Sequence, residues 1–242
     1  MATFVLVHGA WGGSYGFRKV RPPLWQAGHE VFTPSLTGIG ERAHLSSPQV
    51  NLTTHITDVV NTILYEDLQG IVLLGYSYGG MVITGALEHI AERVSHLVYL
   101  DAFLPGPGDT LNGLASGGTA RPAAISLGAQ WLVPPLPRKF DDLAEAAWAG
   151  ARRTPHPAGC FGEPVRLPRP LADYPFTRTF IKATGERRPA AGDAFWRAAD
   201  QVRESPAWRY REIATNHMIL SNRPRDLARL LLELTSELPE PA

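Results

Sequence analysis

The chain has 242 residues, and its 23 Lys and Arg balance 23 Asp and Glu, for a formal charge of zero. That length suits one large domain with a real core, and the even balance lacks the basic footprint that nucleic acid or an anionic membrane attracts. No apolar run approaches the ~20 residues of a membrane span, and the single cysteine, Cys160, excludes an internal disulfide and fits a reducing, cytoplasmic setting.

The first residues, MATFVLVHGAWGG, have an apolar run only from Phe4 to Val7 and no basic leader, so they read as a strand rather than a secretory signal. A helix is predicted from Phe17 to Ala27, flawed by Pro22-Pro23, and a strand from His29 to Pro34. Residues 35–50 are turn-rich, and Asn51 or Thr53 caps a helix running to about Asp67. Ile71 to Leu74 reads as a strand buried on both faces, followed by a helix from about Gly80 to Ile90. His96 to Leu100 is another strand, ending at Asp101.

Between Pro105 and Pro175 lie 12 of the 21 prolines, which makes regular sheet improbable there. One helix is predicted within it, from Phe140 to Arg153, with acids early and arginines late. Beyond it come a strand at Thr179 to Ala183, a helix at Ala194 to Glu204, a strand at Trp208 to Ile213 and a helix at Pro224 to Leu234. Strands alternating with helices imply an α/β fold, a mostly parallel doubly wound sheet covered on both faces. Residues 1–104 and 176–242 form its core, and residues 105–175 form a proline-rich cap insertion. Ligands of such sheets bind beyond the carboxyl ends of the strands, where His8, Ser77 and Asp101 all lie.

Gly75-Tyr76-Ser77-Tyr78-Gly79 sits between a strand and a helix. A G-x-S-x-G turn in that setting lifts a nucleophilic hydroxyl above the sheet, with the helix N-terminus behind it. The serine needs a base, and His217 is the histidine after the last strand and before the last helix. For the acid that orients it, Asp101 emerges from an apolar strand where an idle carboxylate is costly. Glu186 follows the next strand, beside two arginines, and Asp193 stands a distant third. The oxyanion donors are the backbone N–H of Tyr78 and, in the loop after the first strand, that of Ala10. No G-x-G-x-x-G, Walker lysine, H-E-x-x-H or paired-cysteine pattern occurs, so neither metal nor other cofactor is expected. The expected partner is a small-molecule substrate, and no sequence signal speaks to oligomeric state.

The stretches FVLVHGAWGGS, AGHEVFTPSLTGIGER, LLGYSYGGMV, HLVYLDAFLP and TNHMIL together resemble the α/β-hydrolase superfamily over nearly the whole chain. The likeness is greatest to the small esterase and hydroxynitrile-lyase group and its bacterial relatives. The resemblance implies the α/β-hydrolase fold and a Ser-His-acid site. Many lyases of that group carry threonine at the position of Gly9 and lysine at that of Met218, which this chain lacks, so hydrolysis is favoured. Some bacterial members use the aspartate of the LDAF-like segment, which supports Asp101. The expectation is a serine hydrolase acting through an acyl-serine on a medium-sized, fairly hydrophobic ester, lactone or thioester. A cofactor-free lyase or cyclase on the same site is the alternative.

Overall fold

Alternation of strand and helix organises the chain. The computed structural model describes residues 1–117, 131–186, 188 and 193–236. β1 (Thr3–Val7) leads through a 3-10 turn at Ser14–Phe17 to α1 (Arg21–Gln26). The helix is shorter than its sequence suggests, because Pro22 and Pro23 occupy its first turn, where a missing N–H does no harm. β2 (Glu30–Phe32) follows, then α2 (Leu52–Tyr65), whose N-cap Asn51 accepts from the Thr54 N–H in a capping box. Leu52, His55, Ile56, Val59, Val60 and Ile63 form its buried stripe. β3 (Ile71–Tyr76), α3 (Gly79–Ile90) and β4 (Val94–Leu100) come next.

The segment after β4 carries α4 (Leu111–Ala115), β5 (Leu132–Val133), α5 (Leu143–Gly150), β6 (His156–Pro157) and α6 (Gly159–Gly162). β5 and β6 pair as a two-residue antiparallel ladder, the extent of sheet among its described residues. α5 falls short of the expected 140–153 because Asp142 caps it, accepting from the Glu145 N–H, rather than lying inside its first turn. The chain closes with β7 (Thr177–Ala183), α7 (Ala194–Arg203), β8 (Arg209–Ile213), α8 (Ile219–Asn222) and α9 (Pro224–Ser236).

Six parallel strands form one sheet in the order β2-β1-β3-β4-β7-β8. Successive side chains point to opposite faces, and both faces are covered. Val5, Val7, Leu73, Leu97 and Tyr99 join the core under α2 and α3. Phe4, Leu6, Val72, Leu74, Val98 and Leu100 join the core under α1 and α9. Each such side chain taken from water contributes roughly 1.5–3 kcal/mol, so the two apolar layers fix which edge of the sheet presents the strand ends. No helix among the described residues is long and apolar enough to cross a membrane.

Candidate active site

Ser77 immediately follows β3 and holds φ at +56°. A non-glycine residue enters that region at a cost, so its neighbours must hold it there. The Ser77 N–H donates to the Leu100 carbonyl at 3.2 Å, and the Ser77 carbonyl accepts from Gly80 at 3.1 Å and Phe103 at 3.2 Å. The flanking glycines permit the close approach. A Cβ on Gly75 would lie 2.5 Å from the Gly79 carbonyl oxygen, and one on Gly79 would lie 2.7 Å from that of Val7. The turn thus needs the G-x-S-x-G pattern for steric reasons.

His217 lies between β8 and α8, with Nε2 3.0 Å from Ser77 Oγ and Nδ1 2.7 Å from Asp101 Oδ2. With a carboxylate facing Nδ1, the proton belongs there and Nε2 is free to accept from the serine hydroxyl. The imidazole is clasped between two rings, Tyr76 at 5.0 Å and Phe195 at 4.9 Å. Tyr76 also donates its hydroxyl to the His217 carbonyl at 2.6 Å. The loop is fixed further by Asn216, which accepts from the Met218 N–H at 2.9 Å and donates to the Lys139 carbonyl at 3.0 Å.

Asp101 follows β4 directly, at φ +40°, its N–H donating to the Ile181 carbonyl at 2.7 Å. Its Oδ1 accepts from Lys182 Nζ at 2.6 Å and from the Ala183 N–H at 3.3 Å. Burial opposes its charge, but the hydrogen bond and charge of His217, with the charge of Lys182, outweigh burial and hold the carboxyl below the usual range. Glu186 is exposed and lies on a neighbouring shallow cleft with Asn216 and His217, outside hydrogen-bonding contact with the imidazole. Asp193 is occupied elsewhere, capping α7 through the Trp196 N–H.

Ala10 lines the same cleft as Ser77. The Tyr78 side chain is buried beneath, its hydroxyl 2.9 Å from His55 Nδ1. Neither amide is used in the turn and loop hydrogen bonds of the described residues. The loop after β1 is anchored at several points. His8 Nδ1 donates to the Gly9 carbonyl at 3.0 Å, and its Nε2 accepts from the Leu36 N–H at 3.1 Å. Trp11, at φ +62°, donates its N–H to His156 Nδ1 at 3.3 Å and its indole N–H to the Val133 carbonyl at 3.0 Å.

The cleft above Ser77 is partly open to solvent and lies between Trp11, Tyr15, Tyr76, Trp148, Met218 and Leu220. Arg138, Glu145 and Arg153 also line it. The sequence reading missed these charges, together with Lys182 and Phe195. Lys182 did carry a signal, since a lysine inside the apolar run Phe180-Ile181-Lys182-Ala183 must find a counter-charge. Behind Tyr78, ligand atoms of His55, His156 and Cys160 lie within 4.8 Å of one another. Both His55 nitrogens are already engaged there, by the Tyr78 hydroxyl and by the Thr37 carbonyl at 2.7 Å.

Comparison with known proteins gives this geometry a lineage. A carbendazim hydrolyzing esterase of Nocardioides sp. (strain SG-4G) is 37% identical over 97% of this chain and 100% of its own length. An alpha-hydroxynitrile lyase of Arabidopsis thaliana is 32% identical over 42% of this chain and 40% of its own. Among solved structures, an extracellular alpha/beta-hydrolase from a Paenibacillus species superposes with a TM-score of 0.80 at 24% identity, covering 96% of this chain and 98% of that one. The alpha/beta hydrolase family model matches residues 4–230, and the chain belongs to that family as a serine hydrolase of the esterase type.

Proposed function

We propose that the chain cleaves a medium-sized, fairly hydrophobic carboxylic ester, lactone or thioester through an acyl-Ser77 intermediate. The observation that carries this reading is the relay of 3.0 Å from Ser77 Oγ to His217 Nε2 and 2.7 Å from His217 Nδ1 to Asp101. In it, His217 takes the serine proton as Oγ attacks the acyl carbon, and Asp101 fixes the ring and stabilises its cation. The Ala10 and Tyr78 amides receive the oxyanion, and the alcohol leaves with the proton that His217 returns. Water then repeats the sequence on the acyl-serine, releasing the acid. Residues 105–175 act as a cap, because Arg138, Glu145, Trp148, Ala149 and Arg153 of that segment face the nucleophile across the cleft.

The test is turnover of short p-nitrophenyl esters beside a Ser77→Ala control. Loss of turnover by about 10³-fold or more is expected, and equal rates in the two proteins discard the mechanism.

A second reading is a cofactor-free lyase or cyclase on the same groups. It draws on the relative named alpha-hydroxynitrile lyase. It also draws on the two arginines in the cleft, which supply the positive charge that Met218 does not. Incorporation of solvent ¹⁸O into an acid product separates the two, since a lyase or cyclase adds no water oxygen.

A further inference from the structure

We propose that Arg138 and Arg153 form an anion-recognition subsite, and that the ester delivered to Ser77 carries a free carboxylate. This rests on the hydrolase reading for the reaction, but the subsite itself is a binding claim. Both residues line the cleft that contains Ser77 and His217. Arg153 is held in place, donating to the Leu136 carbonyl at 2.7 Å and lying 5.9 Å from the Trp11 ring. Among the described residues neither arginine is ion-paired with a carboxylate; Glu145, Asp101 and Asp141 are paired with other cations, and Glu186 shares only a neighbouring cleft with Arg138. Glu145, the acid of the same cleft, is bound by Arg18 at 2.5 Å and Lys19 at 2.7 Å. Asp141 is bound by Arg223 at 2.7 Å.

Two like charges facing one aromatic-walled cleft oppose each other, and burial with the charge of Arg138 disfavours the charged form of Arg153. An arriving anion relieves that opposition. Guanidinium groups match the planar fork of a carboxylate, and charge-assisted bonds of this kind are the strong ones. Glu145 does not repel such a ligand, because two cations already overcompensate it. The aromatic walls of Trp11, Tyr15 and Trp148 suit the hydrocarbon or ring that separates carboxylate from ester. The substrate class is therefore a mono-anionic ester, such as the half-ester of a dicarboxylic acid.

The probes are the mono-p-nitrophenyl ester of suberic acid and its neutral methyl ester. The native protein is expected to favour the anionic ester in kcat/KM by about tenfold or more at low salt, with the preference shrinking as ionic strength rises. The double variant R138Q/R153Q brings the two esters to within about twofold of each other, and R138K/R153K restores part of the preference. In parallel, Ser77→Ala protein is titrated calorimetrically with the monomethylamide of suberic acid, which cannot be turned over. Binding that weakens about tenfold on adding R138Q/R153Q supports the subsite. Equal turnover of both esters by the native protein, lost in Ser77→Ala, with arginine-independent binding, overturns the subsite and leaves the hydrolase standing. Arginine-dependent binding without turnover of either ester does the reverse.

Discussion

Lys182 Nζ lies 2.6 Å from Asp101 Oδ1, and both side chains are almost wholly buried. The ammonium also donates to the Ala183 carbonyl at 2.8 Å and sits 4.5 Å from the Trp196 ring. Asp101 therefore has two cationic or potentially cationic partners, one fixed and one that acquires its charge only when His217 accepts a proton. A buried pair broken on one side leaves an uncompensated charge, which typically costs about 3–5 kcal/mol. Asp101→Asn is expected to lose stability of that order in urea unfolding and to lose turnover by about 10²–10⁴-fold. D101N/K182M, which removes the stranded ammonium, is expected to recover most of the stability and none of the activity. Unchanged stability in Asp101→Asn would remove the pair from the account of the fold. Glu186→Gln, by contrast, should leave turnover within about twofold.

Gly9 is where the loop after β1 meets Ser77. A Cβ there would lie 2.9 Å from Ser77 Cβ and 3.3 Å from the Tyr76 carbonyl oxygen. Gly9→Ala should therefore displace the loop or the serine and lower kcat by at least about tenfold, since small misplacements of reacting groups are expensive. A variant as active as the native protein would mean that the loop has slack that its hydrogen bonds do not suggest.

Tyr76 does two things to His217, stacking on the ring and donating to its carbonyl at 2.6 Å. Tyr76→Phe keeps the first and removes the second. The expected loss is about 0.5–1.5 kcal/mol of stability, with a several-fold fall in kcat as the histidine loop loosens. Tyr76→Ala should be much worse in both. Phe and Ala variants of equal activity would show that neither contact positions the ring.

Stability should fall in mild acid. Burial lowers the pKa of His8, His55 (to about 3), His96 (to about 4) and His156 from the ordinary 6.5. These groups take up protons more readily unfolded than folded, so their contribution is complete above about pH 6.5 and is lost as pH drops toward the folded values. Each can contribute up to about 1.4 kcal/mol per pH unit within that window. Asp101, with its pKa lowered, acts in the same direction but only below the usual carboxylate range. Urea midpoints at pH 7.5 and pH 5 should differ clearly, and a flat profile would contradict the burial of these rings as neutral groups.

The sheet was legible because its signals are local. Ile71 to Leu74 is apolar on both faces, and the glycines around Ser77 mark a turn that admits no Cβ. That Ser77 and His217 meet was foreshadowed by their places relative to strand ends, which the fold brings to one edge, whereas position alone left Glu186 and Asp193 open beside Asp101. The contacts that shape the cleft were not legible in the same way. Arg138 comes from a proline-rich stretch with no period to anchor it, Arg153 was expected inside a helix that stops at Gly150, and nothing in their neighbours says that they turn toward Ser77. Phe195 reaches His217 from α7, a helix whose sequence face reveals only that it is amphipathic. Nothing local to His55 or His156 says that they pack on Tyr78, because that burial is a tertiary fact.

Trp11 joins the loop that follows β1 to both strands of the small β5–β6 ladder, through His156 and Val133. That linkage bears on how such a scaffold can diversify. A segment exchanged from a relative to alter selectivity would arrive without the fastenings that orient the Ala10 loop, so a new preference and a slower enzyme would be inherited together. Recombination that transplants the ladder and the loop as a single unit avoids the penalty, and so would any evolutionary path that let the two drift in concert.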